Sequence, residues 1–224
     1  MTARPVPFQA LVLAKAPVPG RVKTRLCPPC TPAQAAELAH ASLLDTLDAV
    51  RGSAARRRLL VLDAPRFAAG LPHAGFGVVP QRPGPLGARL AAAFADTAHP
   101  GLASVLVGMD TPQVDADRLD AVVAGLADAD AVLGPATDGG WWVLALRDAR
   151  HAEVLAAVAT STPTTGADTR AALRSAGLRV ADAAPATDVD TAESAREVAA
   201  LAPDTRFAGA WTRMAESLTA LETA

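Results

Sequence analysis

From Leu11 to Leu26 the chain reads Leu-Val-Leu-Ala-Lys-Ala-Pro-Val-Pro-Gly-Arg-Val-Lys-Thr-Arg-Leu, and this stretch holds the residue types best suited to chemistry. An apolar run breaks at Pro17, Pro19 and Gly20, and the cations Arg21, Lys23 and Arg25 follow. Of the 21 basic residues in the chain, only Lys15 and Lys23 are lysine, and both lie here. An ammonium is a compact point charge on phosphate, whereas a guanidinium works through a planar fork. Lysine retained at this one place predicts that the loop after Ala14, with Pro17 and Gly20 shaping it, holds the phosphates of a nucleotide. The alternative is a strand-to-helix turn with solvated charges.

Carboxylates supply the complementary chemistry. Asp110 lies in Gly108-Met109-Asp110-Thr111-Pro112, and Asp188 and Asp190 in Asp-Val-Asp-Thr. Mg²⁺ takes one or two protein carboxylates and completes its shell with phosphate and water. A divalent cation (Mg²⁺ or Mn²⁺) held by Asp110, Asp190 and Asp188 would neutralise charge on a departing phosphate group. Each acid also has a plainer reading. Asp110 could cap the Thr111-Pro112 turn, and Asp188 and Asp190 could cap the helix that follows them. Asp138, before Gly139 and Gly140, could shape a turn. A further shaped loop, Gln81-Arg82-Pro83-Gly84-Pro85-Leu86-Gly87-Ala88-Arg89-Leu90, lets backbone approach a ligand closely or serves as an ordinary turn.

The elements that must position these residues alternate between strand and helix. Phe8–Ala14 is a short apolar run suited to a buried central strand. Thr31-Pro32 supplies an N-cap and a first-turn proline for a helix to about Val50, with Ala36, Leu43, Leu44 and Leu47 toward the core. Strands are expected at 59–62, 76–79, 103–107, 131–133, 141–146 and 178–181. A helix is expected to run on from the Gln81–Leu90 loop to about 98, others at 115–127, 152–159, 167–176 and 204–221, and one opened by Asp188–Thr191 and running to about 201. One of Trp141 and Trp142 should be core and the other free to line a pocket. This alternation predicts an α/β fold with a mostly parallel sheet and helices on both faces. In such a sheet ligands bind beyond the carboxyl ends of the strands, where the Lys15–Arg25 loop, Asp110 and the Asp188–Asp190 pair would converge. No Gly-x-Gly-x-x-Gly or Walker sequence follows the first strand.

Composition narrows the class. The chain has 224 residues, half of them hydrophobic, with a formal net charge of −2, and no linker divides it. One domain is expected (core about 8–201, C-terminal helix about 204–221). There is no global electrostatic case for nucleic acid or an anionic membrane. No apolar run is long enough to span a bilayer, and Met1–Pro7 lacks a leader's apolar core, so a cytoplasmic location is expected. Cys27 and Cys30 form Cys-Pro-Pro-Cys, a spacing open to redox or zinc chemistry. No further cysteine completes a metal site, and two small apolar residues in a turn is the preferred reading. In the C-terminal helix Phe207, Trp211, Met214 and Leu218 recur at helical spacing, which predicts packing onto the chain's own domain.

The ordered set Lys15–Leu26, Gln81…Leu86-Gly87-x-Arg89, Gly108–Pro112, Asp138-Gly139-Gly140-Trp141 and Asp188–Thr191 resembles the small bacterial GT-A-like glycosyltransferases, some labelled as arsenosugar-biosynthesis glycosyltransferases. The resemblance spans about residues 8–200. It implies a single-domain, Rossmann-like nucleotide-diphospho-sugar transferase fold with a mixed sheet. It also implies Lys15, Arg21, Lys23 and Arg25 on phosphates, and Gln81, Leu86, Gly87 and Arg89 near the nucleoside. Asp110 and Asp190, with Asp188, would hold the metal, and Asp138, Gly139, Gly140 and Trp141 would face donor sugar or acceptor. Lys23 and Asp110 would carry the chemistry. The chain departs from the family pattern at Pro85 (an aspartate there), Trp141 (a tyrosine) and Thr160 (a tryptophan). It is also similar to the 2-phospholactate or phosphoenolpyruvate guanylyltransferases, which pair an early Lys-Ser-Arg-Leu-like segment with a later Asp-x-Asp-Thr. The expectation is a metal-dependent glycosyltransferase using a nucleoside-diphosphate sugar and a small-molecule acceptor. Nucleotidyl transfer is the alternative, and an inactive nucleotide-binding module the non-enzymatic one.

Overall fold

The computed structural model describes residues 6–222, with side chains through Ser217. Most of the Met1–Pro7 segment and the side chain of Leu218 lie outside the described residues. The first strand, β1 (Phe8–Ala14), is buried along almost its whole length and forms the centre of the sheet. Its side chains alternate between two cores. Phe8, Ala10, Val12 and Ala14 face one, and Leu11 and Leu13 face the other. A strand apolar on both faces belongs in the middle of an α/β sheet.

The remaining strands are β2 (Arg57–Leu62), β3 (Gly77–Pro80), β4 (Ala103–Gly108), β5 (Ala131–Pro135), β6 (Trp141–Leu146) and β7 (Val180–Asp182). Among the described residues these seven strands form one sheet, ordered β3-β2-β1-β4-β6-β5-β7. All neighbours are parallel except β6, which runs antiparallel to both β4 and β5. The sheet is therefore mixed and mostly parallel, as the resemblance implies, and β6 is its antiparallel strand. The Thr137–Gly140 segment reverses the chain between β5 and β6 by a hairpin, with Gly139 in the left-handed region at φ 89°.

Helices cover both faces. α1 (Pro32–Gly52) and α3 (Ala116–Ala124) pack on one side, α2 (Leu86–Thr97) and α4 (Thr165–Ser175) on the other. Thr31 caps α1 through a reciprocal box with Gln34. Short 3₁₀ turns occupy Thr24–Leu26, Pro65–Gly70, Gly125–Ala127 and Ala149–Ala157. The last of these stands where an α-helix over 152–159 was expected. It packs closely on α2, where a Cβ at Gly87 would come within 2.3 Å of the Leu155 carbonyl. α5 (Ala192–Leu201) and α6 (Arg206–Glu222) close the chain against the outer face of α1, burying Phe207, Trp211 and Met214 together. No helix among the described residues is long and apolar enough to cross a membrane.

Candidate active site

The chain leaves β1 to build α1 and β2 on one side, then returns through β3 and α2 to place β4 on the other. The carboxyl ends of β1 and β4 therefore flank a reversal in strand order, where open α/β sheets bind ligands. Leu13 is paired with Gly108 there, and the Lys15 amide meets the Met109 sulfur at 3.3 Å. Two other contacts fix this edge. The Ala16 amide donates to Asp63 Oδ1 (2.7 Å), and Ser42 in α1 donates to the Met109 carbonyl (2.6 Å). A cleft of about 510 Å³ opens above the strand ends.

Lys23 is the centre of the charged wall. It sits in the left-handed region (φ 50°) at the start of the Thr24–Leu26 turn, and its side chain is only 5% exposed. Its Nζ lies 2.5 Å from Asp110 Oδ1 and 3.3 Å from Asp190 Oδ1, and it donates to the Val189 carbonyl. These three oxygens use the three protons of an ammonium. Burial works against the charge on Lys23, but the Asp110 and Asp190 carboxylates outweigh it and hold the pKa above the ordinary lysine value. Arg25 Nη1 adds a bond to Asp190 Oδ2 at 3.0 Å from a largely exposed position. The Val189 amide in turn donates to the Asp110 carbonyl (2.8 Å). One lysine thus ties the cationic loop, the end of β4 and the 188–190 segment together.

The acidic residues divide into two groups. Asp138, Asp188 and Asp190 each offer a carboxylate oxygen, and these oxygens all lie within 4.8 Å of one another. Burial, then the neighbouring Asp138 and Asp190 charges, push the Asp188 carboxyl up to about 6. Asp110 borders the same cleft but is turned onto Lys23. Asp138 joins Asp188 and Asp190 in the cluster of oxygens, and Asp110 meets Asp190 through the Lys23 ammonium that both accept. Two hard oxygen donors from the 188–190 segment and one from the β5–β6 hairpin suit Mg²⁺ or Mn²⁺ better than a soft metal. Asp138 Oδ1 also accepts the Gly140 amide at 2.7 Å, which orients the carboxylate.

The opposite wall comes from β3 and α2. Gln81 donates through Nε2 to the carbonyls of Ala14 (2.7 Å) and Val61 (2.9 Å), bridging the ends of β1 and β2. Its Oε1 accepts from Arg89 Nε at 2.9 Å, which aims that guanidinium along the cleft. Leu86, 36% exposed, lies beside it.

Of the residues singled out from sequence, Ala14, Lys15, Lys23, Arg25, Gln81, Leu86, Arg89, Asp110, Asp138, Gly140, Trp141, Asp188 and Asp190 line the cleft. Pro17, Gly20, Arg21, Gly87 and Gly139 do not. Gly87 serves the packing of α2 described above. Gly139 lets the hairpin pass the Pro163 carbonyl, where a Cβ would come within 2.0 Å. Trp142 is buried in the core, whereas Trp141 faces the cleft. Thr160, where the chain departs from the family pattern, lines one end together with Ser161, Thr162 and Thr165, none of which was named as a site residue from the sequence. The run Ser-Thr-Pro-Thr-Thr, dense in hydroxyls, was the available signal. Cys27 and Cys30 are free thiols, Cys30 buried with Leu26 among α1, α5 and α6.

With the geometry in place, comparison with known proteins adds a family and a fold. Residues 44–162 match the family described as "Uncharacterized protein conserved in bacteria (DUF2064)". The chain belongs to DUF2064. The matched span contains Gln81, Arg89, Asp110 and Asp138, but neither the cationic loop nor Asp188 and Asp190. No curated protein matches this DUF2064 chain. Among solved structures, it is 28% identical to a provisionally named nucleotide-diphospho-sugar transferase from Desulfovibrio desulfuricans, over 83% of each chain, with a TM-score of 0.71. A manganese complex of Rv0371c from Mycobacterium tuberculosis is 23% identical over 87% of this chain and 98% of that one (TM-score 0.54). A CMP:2-keto-3-deoxy-manno-octonic acid synthetase complexed with CTP is 13% identical over the same shares (TM-score 0.54). The fold is that of the nucleotide-diphospho-sugar transferases, an α/β single domain with a mixed, mostly parallel sheet.

Proposed function

We propose that this chain is a divalent-metal-dependent glycosyltransferase that takes a sugar from a nucleoside diphosphate and passes it to a small acceptor. The carrying observation is the meeting of Lys15, Lys23 and Arg25 with the Asp138–Asp188–Asp190 group across one cleft at the β1/β4 reversal. Asp138, Asp188 and Asp190 would hold Mg²⁺ or Mn²⁺. When bound, that cation supplies charge neutralisation on the diphosphate. The manganese in the Rv0371c structure and the sugar-transferase name of the Desulfovibrio protein support this reading. The likeness to arsenosugar-type glycosyltransferases is a narrower form of it, carried by the motifs.

The division of labour follows from the bonds. Lys23 has spent its donors on Asp110, Asp190 and the Val189 carbonyl, so it fixes the frame of the acidic wall and keeps a positive charge beneath it. Direct contact with phosphate falls to Lys15 and Arg25, both exposed at the mouth of the loop. Gln81, Leu86 and Arg89 would hold the nucleoside, with Arg89 pre-oriented by Gln81. As the bond between the sugar and the diphosphate breaks, negative charge grows on the leaving group. Fixed cations on that side lower the barrier without reorganising during the reaction.

Nucleotidyl transfer is the second reading, favoured by the CTP-bound structural neighbour. In it, an acceptor oxygen attacks the α-phosphate of a nucleoside triphosphate and pyrophosphate leaves. Incubation with Mn²⁺ and panels of nucleotide sugars and triphosphates separates the two by product. Release of nucleoside diphosphate from a nucleotide sugar supports the first, release of pyrophosphate supports the second, and neither product with any panel member contradicts both.

A further inference from the structure

Asp190 belongs to both halves of the charged wall. Its Oδ1 accepts from Lys23 Nζ (3.3 Å) and its Oδ2 from Arg25 Nη1 (3.0 Å), so each oxygen faces a cation. The same carboxylate stands in the Asp138–Asp188–Asp190 group. The two cations on it are held very differently. Lys23 is buried and also bonds Asp110 and the Val189 carbonyl. The Arg25 side chain is 70% exposed, and among the described residues its one ion pair is with Asp190. Resting on the reading that Asp138, Asp188 and Asp190 hold a divalent cation, we propose that the Arg25–Asp190 pair is a latch that opens on metal binding. Asp190 exchanges the Arg25 guanidinium for the metal, and Arg25, once free, turns to the phosphates of the nucleotide.

Charge balance makes the exchange necessary. A guanidinium on Asp190 Oδ2 sets a positive charge beside the oxygens that would take a divalent cation, and it occupies one of them. The same pairing neutralises Arg25 on the chain's own carboxylate and so weakens its pull on phosphate. Each cation therefore interferes with the other's ligand until Asp190 changes partner. An ion pair this exposed holds weakly in water, whereas a hard divalent cation binds carboxylate oxygens directly, so the exchange runs toward the metal.

The frame around the pair stays in place while the side chain moves. The turn that carries Arg25 is closed by the Leu26 amide on the Lys23 carbonyl (3.0 Å) and the Cys27 amide on the Thr24 carbonyl (3.1 Å). Leu26, fully buried, anchors that turn in the core under α1. On the other side the Asp190 amide donates to Ser194 Oγ at 3.0 Å. The capping of α5 is done by Thr191, whose hydroxyl accepts the Ser194 amide (3.2 Å). The Asp190 carboxylate thus has no capping duty and is free to change partner. Rotation of one exposed arginine side chain is all that the exchange requires, a motion of picoseconds to nanoseconds.

Calorimetric titration of wild type, Arg25→Ala, Asp190→Asn and the double variant tests the latch without any turnover. Mn²⁺ alone is titrated first, then UDP, GDP, ADP and CDP in saturating Mn²⁺ and in EDTA. Arg25→Ala should bind Mn²⁺ about threefold more tightly than wild type, and in Mn²⁺ it should bind nucleoside diphosphate about tenfold more weakly. A residue that only supported the fold would weaken both. In EDTA, Asp190→Asn should bind diphosphate about threefold more tightly than wild type, because Arg25 is already free, and Arg25→Ala should remove that gain. The latch is overturned if Arg25→Ala leaves Mn²⁺ affinity unchanged or lowers it, or if it weakens no diphosphate in Mn²⁺. It is also overturned if Asp190→Asn brings no gain in EDTA, or if the gain survives in the double variant, where it would reflect only the loss of a negative charge. A wild type that binds no Mn²⁺ overturns the metal reading and the latch with it, whereas Mn²⁺ binding that ignores Arg25→Ala overturns the latch alone.

Discussion

Replacing Lys23 by methionine keeps most of the side-chain stem and removes the charge that joins three parts of the site. A pair of unit charges about 4 Å apart attract by roughly 4 kcal/mol at an effective dielectric constant of 20. The Asp110 and Asp190 side chains are 42% and 36% exposed, so water screens both pairs and each falls toward the roughly 1 kcal/mol of an exposed ion pair. The hydrogen bond to the Val189 carbonyl adds about 1 kcal/mol, and relief from burying an ammonium offsets part of the sum. A net loss of about 2 kcal/mol follows, or roughly 4–8 °C in melting temperature for a chain of this length. The assay is thermal unfolding by circular dichroism at pH 7.5, in EDTA and in Mn²⁺. The deficit should be largest in EDTA and shrink in Mn²⁺, because a divalent cation takes over neutralisation of Asp190. The pKa of Lys23 is raised in the folded state, so its contribution is complete below about pH 10 and is lost as pH climbs through the raised value. A melting temperature within about 1 °C of wild type in EDTA would refute the claim that Lys23 ties the loop to the acidic wall.

Three further substitutions probe separate parts of the account. Asp188 titrates at about 6 in the fold against 3.8 as its reference, so the folded metal-free protein resists its ionisation, and its stabilising effect is lost as pH rises from 4 to 6. Asp188→Asn should therefore match wild type near pH 4 and exceed it in melting temperature at pH 8, both in EDTA; equal curves at both pH values would remove the burial argument. Gly139→Ala places a Cβ at φ 89° and 2.0 Å from the Pro163 carbonyl, and should cost at least about 2 kcal/mol in urea denaturation; a neutral result would show that the hairpin is not held against the 160–165 loop. Asp45, buried in α1, accepts the backbone amides of Arg206 and Phe207 at 3.1 and 2.9 Å and so caps α6. Asp45→Ala should cost about 2 kcal/mol by the same method, and a wild-type midpoint would show that α6 docks through its apolar face alone.

The parts of the fold that were legible in the sequence are those with a local physical signature. β1 announced itself as an apolar run bounded by prolines, and Thr31-Pro32 announced the start of α1, where the capping box is present. Strand and helix alternation was enough for the sheet class. It could not reveal that β6 runs antiparallel, because direction depends on the Asp138-Gly139-Gly140 hairpin and not on the strand's own residues. The 3₁₀ geometry of Ala149–Ala157 was hidden for a similar reason, since apolar spacing alone does not distinguish it from an α-helix.

The site was legible at its strand ends and less so elsewhere. Lysine scarcity drew attention to Lys23, but not to its burial beneath the cleft. Its three oxygen partners come from residues 87 to 167 positions away in the chain, which no local pattern encodes. Asp138 read as a turn former, and it is one, since it accepts the Gly140 amide. Its second role beside Asp188 and Asp190 arises only because β5 carries the hairpin back to the edge where 188–190 crosses. The Thr160–Thr165 end carries hydroxyls and no charge, so it lacks the signal that marks the strand ends.

The central claim, a metal-assisted nucleotide cleft at the β1/β4 reversal, is tested most directly by calorimetric titration of nucleoside diphosphates with and without Mn²⁺. The account predicts that at least one diphosphate binds in Mn²⁺, that EDTA weakens it at least about tenfold, and that Asp188→Asn and Asp190→Asn each abolish the metal dependence. Equal affinity in Mn²⁺ and EDTA, or no binding of any nucleoside diphosphate in either, would contradict it.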